Sequence, residues 1–222
     1  MWLGSQFCAR HIIRNLDQVD DVPVFWTREQ HGEEASTWLL FAHKYDYLRN
    51  LAARFTRGMA RTFCIPPEMV NASPPAERIL LILAVSLMES FGIRVQVVSD
   101  AEYETVDGFV LDGNRRAIVA NWVRADGIWH VDTTTSRPAL RQYADAAGYA
   151  CAHSVMRTRT PTHRLRTLSD YLGLDWAWLT RRCAELADYG TEGIARPHSR
   201  LLSVAGVDRA CRYLGQLDQP NS

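Results

Sequence analysis

A long apolar run and a net charge are both missing from this sequence. The longest nearly unbroken apolar stretch, Ile79 to Met88, is far shorter than the roughly 20 residues that a membrane-spanning helix needs. Lysine and arginine together number 25, as do aspartate and glutamate, so no field of the whole protein draws it toward nucleic acid or membrane. We therefore expect a soluble, cytoplasmic protein that does not contact membranes, in which any anion-binding face is local.

Motifs of well-known enzyme and cofactor sites are missing as well. The sequence contains no Gly-x-Gly-x-x-Gly loop, no Gly-Lys-Ser/Thr phosphate loop, no Gly-x-Ser-x-Gly elbow and no His-Glu-x-x-His helix. Its five cysteines are an odd number at wide spacings, which argues against a disulfide framework and favours reduced, buried thiols. We expect no cofactor, and a non-catalytic protein is favoured over an enzyme.

Hydrophobic periodicity divides the chain into regions. Apolar residues recur at spacings of three and four from Trp38 to Leu51, which indicates helix. A proline-rich connector follows, and then an almost wholly apolar helix that starts near Pro74 and stops at Gly92, which is typical of a buried helix. We expect an N-terminal helical region, a core of one helix and a sheet, and a C-terminal helical region, over residues 1–72, 73–154 and 155–222.

Strand patterns replace helical ones after Gly92. Asp112-Gly113 and Asp126-Gly127 separate the last three runs of strand formers, and Asp-Gly supplies the positive φ angles of tight hairpins. The predicted fold is therefore α+β, with a small antiparallel sheet at about 93–133 flanked by the N-terminal and C-terminal helices. In it, the first run lies beside a meander of the other three. The runs cover residues 93–98, 108–112, 116–123 and 128–132.

The C-terminal helical region contains the spacing of a helix-turn-helix. Such a unit needs a small residue in the first helix, a glycine four residues later and an apolar anchor six residues beyond it. Ser169, Gly173 and Leu179 meet this requirement. The second helix then begins near Trp176 and faces a DNA major groove. The residues that we predict to contact DNA are Arg157, Arg159, Arg164, Arg166, Thr180 and Arg181.

A plain antiparallel helix pair is the competing interpretation of this segment. Trp176 and Trp178 stand at the head of the second helix, where tryptophan more often packs into a core than reads DNA. Arg182 falls where the motif usually has an apolar residue. The two interpretations differ in exposure, because a DNA-reading pair protrudes whereas a structural pair is buried in the main core.

The run Leu168-Ser-Asp-Tyr-Leu-Gly-Leu-Asp175, together with Leu179, resembles the helix-turn-helix transcriptional regulators of actinobacteria. The arginine usage, with Lys44 as the only lysine, fits the same source. The resemblance covers about 25 of the 222 residues. It implies a cytoplasmic regulator with a sensing domain, whose partners are DNA, a small-molecule or protein effector and a second copy of the chain in a homodimer.

The buried helix is followed by Phe91-Gly-Ile-Arg-Val95 and later by Asp126-Gly-Ile-Trp-His-Val-Asp132-Thr133. This arrangement resembles the core of transglutaminase-like cysteine enzymes, in which a helix carries the nucleophile and successive strands carry a histidine and an aspartate. The head of the helix, Pro75-Ala-Glu-Arg78, has no cysteine, and the strand from Ala117 to Trp122 has no histidine. Only Asp132 matches, so the resemblance implies a catalytically silent relative.

His130 and Asp132 are weak candidates for metal ligands, because residues two apart on a strand point the same way. Trp129 and Val131 occupy the opposite face and are the natural core residues, which turns His130 and Asp132 toward water. We therefore expect no metal site.

The function that we expect is that of a non-catalytic regulatory protein, of the sensing or DNA-associated kind found among transcriptional regulators. The alternative is a catalytically silent or divergent transglutaminase-like or metal-dependent hydrolase, whose site is assembled from scattered residues. A deep pocket lined by His130, Asp132 and a third ligand would favour the hydrolase.

Overall fold

The computed structural model describes residues 1–19, 22–28, 37–113, 115–122 and 128–217. Within these ranges the strands are β1 (Trp2–Gly4), β2 (Val24–Thr27), β3 (Met59–Cys64), β4 (Ile93–Val98), β5 (Phe109–Asp112), β6 (Arg116–Trp122) and β7 (Ile128–Thr134). The α-helices are α1 (Ser5–Asn15), α2 (Ala42–Arg54), α3 (Pro67–Ala72), α4 (Pro75–Ser90), α5 (Arg137–His153), α6 (Pro161–Tyr171), α7 (Trp176–Tyr189), α8 (Glu192–His198) and α9 (Val204–Gln216). Among these described helices, none combines the length and the apolar character that crossing a membrane requires.

The strands form one mixed sheet in the order β1-β7-β6-β5-β2-β3-β4. β2, β3 and β4 run parallel, with Phe25 opposite Arg61 and Arg61 opposite Val95. β5, β6, β7 and β1 follow on the other side of β2, and each of these neighbouring pairs is antiparallel. Parallel neighbours need a crossover connection. The connection from β2 to β3 contains α2, and the connection from β3 to β4 contains α3 and α4.

This sheet differs from the predicted one in size, direction and strand order. Helices around a sheet are confirmed, but the prediction of a small antiparallel sheet at about 93–133 is wrong, because the sheet is mixed and has seven strands. β4 forms the far edge and is separated from β5 by β2 and β3. The region at residues 1–72, which the pattern predicts to be helical, contributes these two strands and β1.

The strands that the sequence pattern misses are buried on both faces. Arg61, Thr62 and Phe63 are consecutive in β3 and all are buried, as are Phe25 and Trp26 in β2. A strand covered on both faces shows no alternation of apolar and polar residues, so its pattern cannot be told from that of a buried helix segment.

The buried helix that the sequence predicts ahead of residues 93–133 is confirmed. α4 runs from Pro75 to Ser90, and Gly92 ends it with a φ of 77° that suits glycine. The antiparallel meander of β5, β6 and β7 is also confirmed. Gly113 has a φ of 49° directly after β5, whereas Asp126-Gly127 lies outside the described residues.

Two hydrophobic clusters cover the two faces of the sheet. The larger cluster packs α1, α2, α4, α6, α7 and α9 against the face that carries Phe63. The smaller cluster packs α5 against the other face, which carries Trp26 and Phe109. Since the larger cluster extends from Cys8 to Leu214, residues from all three regions distinguished in the sequence share one core.

Other parts of the chain close the outer edge of β4. The Val95 amide donates to Glu89 Oε1 at 3.2 Å, and the Val97 amide donates to Ser154 Oγ at 3.0 Å. The Val155 amide donates in turn to the Val97 carbonyl at 2.8 Å. These bonds satisfy backbone groups that an edge strand would otherwise offer to another chain.

Candidate anion-binding pocket

Arg61 is a buried cation on an interior strand of the sheet. It lies on β3, between β2 and β4, and only 7% of its surface is exposed. Side chains alternate along a strand, so Arg61 shares a face with Phe63 and, on the neighbouring strand, with Phe25. Its Nε donates a hydrogen bond to Thr27 Oγ1 at 2.7 Å. The guanidinium therefore lies inside the layer formed by the sheet and helices α1 and α2.

Three aromatic rings surround the Arg61 guanidinium. Its central carbon lies 5.7 Å from the ring centres of Phe25 and Tyr47 and 5.9 Å from that of Phe63. Cations are attracted to aromatic faces, and the attraction is stronger away from water. Burial raises the pKa of Tyr47 to about 12, although the Arg61 charge and a hydrogen bond with Arg61 oppose this. The Tyr47 hydroxyl is therefore protonated at neutral pH.

Among the described residues, no carboxylate forms an ion pair with Arg61. Arg164 is similarly buried, at 8% exposure, but its guanidinium makes two contacts with the carboxylate of Glu89. Burying a charge costs several kcal/mol unless an opposite charge and hydrogen bonds compensate it. Arg61 thus carries a positive charge that the described part of the protein does not neutralise.

A cavity of about 40 Å³ lies beside Arg61, between the sheet and helices α1 and α2. It has room for roughly three water molecules or for the head group of a small ligand. Its polar lining consists of Cys8, Thr27, Arg28, Lys44, Tyr47 and Arg61. Its apolar lining includes Ala9, Ile12, Phe25, Val110, Ala120 and Trp129. The cavity thus joins positive charge to an apolar wall.

Two further cations line this cavity. Arg28 Nη1 lies 3.8 Å from Asp107 Oδ1, in an ion pair that is partly open to solvent. Lys44 Nζ lies 5.7 Å from the ring centre of Trp129. Burial raises the pKa of Cys8 to about 11, although the Lys44 charge opposes this rise. The cavity is therefore electropositive, and its thiol is protonated at neutral pH.

The cavity lies where the sheet changes direction. β2 has the parallel strand β3 on one side and the antiparallel strand β5 on the other, and Thr27 and Arg28 stand at its carboxyl end. Gly108 also lines the cavity, and a Cβ there would lie 2.3 Å from the Ala120 carbonyl oxygen. Only glycine permits this close approach of β6.

These groups are suited to binding an anion. Cys8 and Tyr47 are protonated at neutral pH, so neither is a ready nucleophile or general base. Arg61 and Lys44 supply positive charge, which binds an anion without any proton transfer. Within the described ranges, no three His, Cys, Asp or Glu side chains are grouped to hold a metal ion.

The six residues predicted to contact DNA fall into two groups. Arg164 is buried in its ion pair with Glu89, and Thr180 is 2% exposed, with its hydroxyl donating to the Trp176 carbonyl at 3.0 Å. Both side chains are buried, which counts against contact of Arg164 and Thr180 with DNA. The other four residues are exposed: Arg157, Arg159, Arg166 and Arg181.

The helix pair expected in the C-terminal region is present as α6, a short turn and α7. Gly173 has a φ of 64° in the turn, and the Ser169 hydroxyl donates to the Leu174 carbonyl at 3.0 Å. Leu168 of α6 and Leu179 of α7 belong to the larger core cluster. The pair is therefore packed into the body of the protein, which favours the structural interpretation over a protruding DNA-reading unit.

The two candidate metal ligands of β7 lie on the face opposite the larger cluster. Trp129 and Val131 are buried in that cluster, at 6% and 2% exposure, as their alternation predicts. His130 and Asp132 consequently point the other way, and Asp132 is exposed. One Asp132 carboxylate oxygen accepts a hydrogen bond from the Thr133 amide at 2.7 Å. Neither residue lines the cavity beside Arg61.

Cys64, the thiol that precedes the head of α4 in the sequence, ends strand β3. Its Sγ donates to the Asp100 carbonyl at 3.4 Å. Burial raises the pKa of Cys64 to about 12, and the charges of Glu104 and Asp100 add to the rise. A thiol with this pKa is protonated at neutral pH, unlike the thiolate that a transglutaminase-like enzyme needs.

Sequence reasoning does not identify the residues of the pocket. Arg61 lies in the run Met59–Cys64, which belongs to the region at residues 1–72 that the sequence pattern predicts to be helical. The usable signal is an arginine inside a short, otherwise mostly apolar run, since arginine is almost never fully buried unless it is paired. Its contacts with Thr27 and Tyr47 join other elements, and no pattern within β3 predicts them.

Comparison with protein-family models, with curated proteins and with solved structures gives no match for this chain. The pocket is therefore defined by its own geometry: a buried Arg61, the neighbouring Lys44 and an adjoining cavity. Its function has to be argued from these groups, because one fold can host many unrelated functions.

Proposed function

We propose that this chain is a non-catalytic regulatory protein of the sensing type, and that its small-molecule effector binds in the pocket around Arg61. One observation carries the proposal: the buried Arg61 guanidinium lines a cavity and has no carboxylate partner among the described residues. A ligand that brings negative charge into this cavity would offset the electrostatic cost of burying the cation.

The position of the pocket suits a sensing role. Its lining takes Cys8 and Ile12 from α1, Lys44 and Tyr47 from α2, and Arg61 from the sheet. A ligand that contacts all three elements holds the two helices against the sheet. It also stabilises the folded state by an amount that rises with ligand concentration, because it binds that state and not the unfolded chain.

Thermal unfolding of the full chain with a panel of small molecules tests this proposal. The panel contains carboxylates, phosphates, sugars and neutral amides. We expect at least one of these classes to raise the Tm of the wild-type chain but not that of Ala120→Leu, in which a larger side chain fills the cavity. Ala76→Leu is the matched control, because Ala76 is exposed on α4. The proposal fails if no class raises the Tm, or if Ala120→Leu responds as the wild-type chain does.

DNA contact is a second candidate function, which the exposed arginines favour. Arg159, Arg166 and Arg181 form no ion pair among the described residues, so their charges can meet phosphates. We expect the affinity to fall with salt at a slope of about −0.9 per phosphate contact. Changing all three to alanine should weaken binding to all sequences alike, whereas Arg94→Ala, at an exposed position of β4, should not. A gel-shift titration at low salt that detects no binding would exclude this function.

A further inference from the structure

We propose that the effector is a small monocarboxylate with a short apolar body, and that its carboxylate pairs with Arg61. This inference rests on the proposed sensing role of the same pocket. Three features point to this class of ligand: the hydrogen-bond donors that Arg61 retains, the charge around the cavity, and the size and lining of the cavity.

The Arg61 guanidinium retains donors for a ligand. Of the five N–H groups of an arginine, Nε–H is used by Thr27 Oγ1 at 2.7 Å. The remaining N–H groups belong to a planar fork, which matches the two oxygens of a carboxylate. A carboxylate can therefore form more than one charge-assisted hydrogen bond with Arg61 without displacing Thr27.

The charge around the cavity suits one negative charge better than two. Arg28 is already paired with Asp107 at 3.8 Å, so Arg61 is the buried cation that a ligand in the cavity would meet. The cost of removing an ion from water grows with the square of its charge, so a phosphate dianion loses far more hydration energy than a carboxylate does. The neutral hydroxyls of Thr27 and Tyr47 line the cavity and can each donate one hydrogen bond, which offsets little of that cost.

The size and lining of the cavity limit the rest of the ligand. A volume of about 40 Å³ holds the carboxylate head group, so only a short body can accompany it. Part of the cavity lining is apolar, with Ile12, Val110 and Ala120 among its residues. An apolar body gains by leaving water for such a wall, whereas a second polar group would find no partner there. Propionate has the charge, the size and the short hydrocarbon body that this site requires.

The experiment titrates propionate, its neutral amide propionamide and inorganic phosphate into the full chain at constant ionic strength. Binding is read from the Tm and from tryptophan fluorescence, since Trp26 and Trp129 line the cavity. We expect propionate to raise the Tm and to change the fluorescence. Propionamide should bind about ten- to a hundredfold more weakly, because it lacks the charge that strengthens the hydrogen bonds to Arg61. Phosphate should cause no response.

Substitutions at Arg61 assign the response to its side chain. Arg61→Gln removes the charge and should weaken propionate binding about ten- to a hundredfold. Arg61→Lys keeps the charge but not the planar fork, so it should bind propionate more weakly than the wild-type chain even if Arg61→Gln does not fold. Arg94→Gln is the matched control, because Arg94 is exposed on the neighbouring strand β4, and it should keep the wild-type affinity.

The possible outcomes separate this inference from the proposed function. Equal binding of propionamide, or tighter binding of phosphate, overturns the carboxylate assignment and leaves a small-molecule site in place. A propionate response that neither Arg61 variant weakens overturns it as well. If none of the three probes binds, the inference is wrong, and the wider panel with Ala120→Leu then decides the sensing role by itself.

The acids of the chain itself supply one more outcome. Glu29, Glu33 and Glu34 follow β2 in the sequence and lie outside the described residues. If propionate binds only after all three are changed to glutamine, the chain provides the negative charge for Arg61 from its own side chains. That result would overturn the inference, whereas equal binding to the wild-type chain and the triple variant supports it.

Discussion

Replacing Arg164 by alanine tests whether its buried ion pair with Glu89 holds the C-terminal helices to the core. Only 9% of the Arg164 side chain and 3% of the Glu89 side chain are exposed. Arg164 Nε lies 3.0 Å from Glu89 Oε1, and Arg164 Nη2 contacts Oε2. Glu89 Oε1 also accepts the Val95 amide at 3.2 Å, so the pair joins α6, α4 and β4. Both charges have therefore lost most of their contact with water.

The size of the effect follows from this burial. Arg164→Ala leaves the Glu89 carboxylate buried without its counter-charge, which should lower the free energy of unfolding by about 3–5 kcal/mol. In a protein of this size each kcal/mol shifts the Tm by about 2–4 °C, so the expected loss is about 6–20 °C. Arg166 is the matched control because it is exposed on the same helix, and Arg166→Ala should cost no more than about 0.5 kcal/mol.

Urea unfolding followed by circular dichroism measures both variants. A third variant, with methionine in place of both Glu89 and Arg164, exchanges the whole pair for apolar side chains and should recover part of the loss, since the Val95 amide then lacks its acceptor. If Arg164→Ala costs as little as Arg166→Ala, the pair is not a buried one and the reasoning is refuted. A double variant less stable than Arg164→Ala would refute the claim that the unpaired charge is the cause.

Leu83→Asp should abolish cooperative folding, because Leu83 is 7% exposed in the larger cluster and an unpaired buried carboxylate costs several kcal/mol; a cooperatively melting variant would contradict this. Burial and the Lys44 charge lower the pKa of His43 from 6.5 to about 4, so the folded state resists protonation and stability should fall as the pH drops from 6.5 toward 4. Urea unfolding over this range should show a flatter profile for His43→Gln, and an unchanged profile would count against the prediction. Iodoacetamide at neutral pH should label the exposed Cys151 well before Cys64, whose pKa is raised to about 12 by burial, and rapid selective labelling of Cys64 would overturn this expectation.

The elements that the sequence predicts correctly are those with local signals. α4 is one apolar run between Pro74 and Gly92, and both ends are marked by residues that favour helix termini. In the meander, β6 pairs with β5 on one side and with β7 on the other. Strands that pair are thus consecutive in the sequence. Short connections limit the possible arrangements, so pattern and turn residues suffice.

The strand order and the pocket depend on contacts between distant parts of the chain. Arg61 meets Thr27 across 34 residues, and Arg164 meets Glu89 across 75 residues. Periodicity predicts which face of an element is buried, but it does not say which other element covers that face. For this reason the sequence pattern places Arg164 among surface arginines that could contact DNA, and it gives no signal that Arg61 lines a pocket.

The two buried arginines differ in what balances their charge, and this difference bears on function. Arg164 has the Glu89 carboxylate at two points of contact, so its charge stabilises the fold. Arg61 has two hydroxyl groups and three rings around it, which lower the cost of burial but bring no negative charge. An apolar side chain at position 61 could occupy the same layer at a lower electrostatic cost. Stability alone therefore gives no reason for a charge at this position, whereas an anion in the adjoining cavity would do for Arg61 what Glu89 does for Arg164.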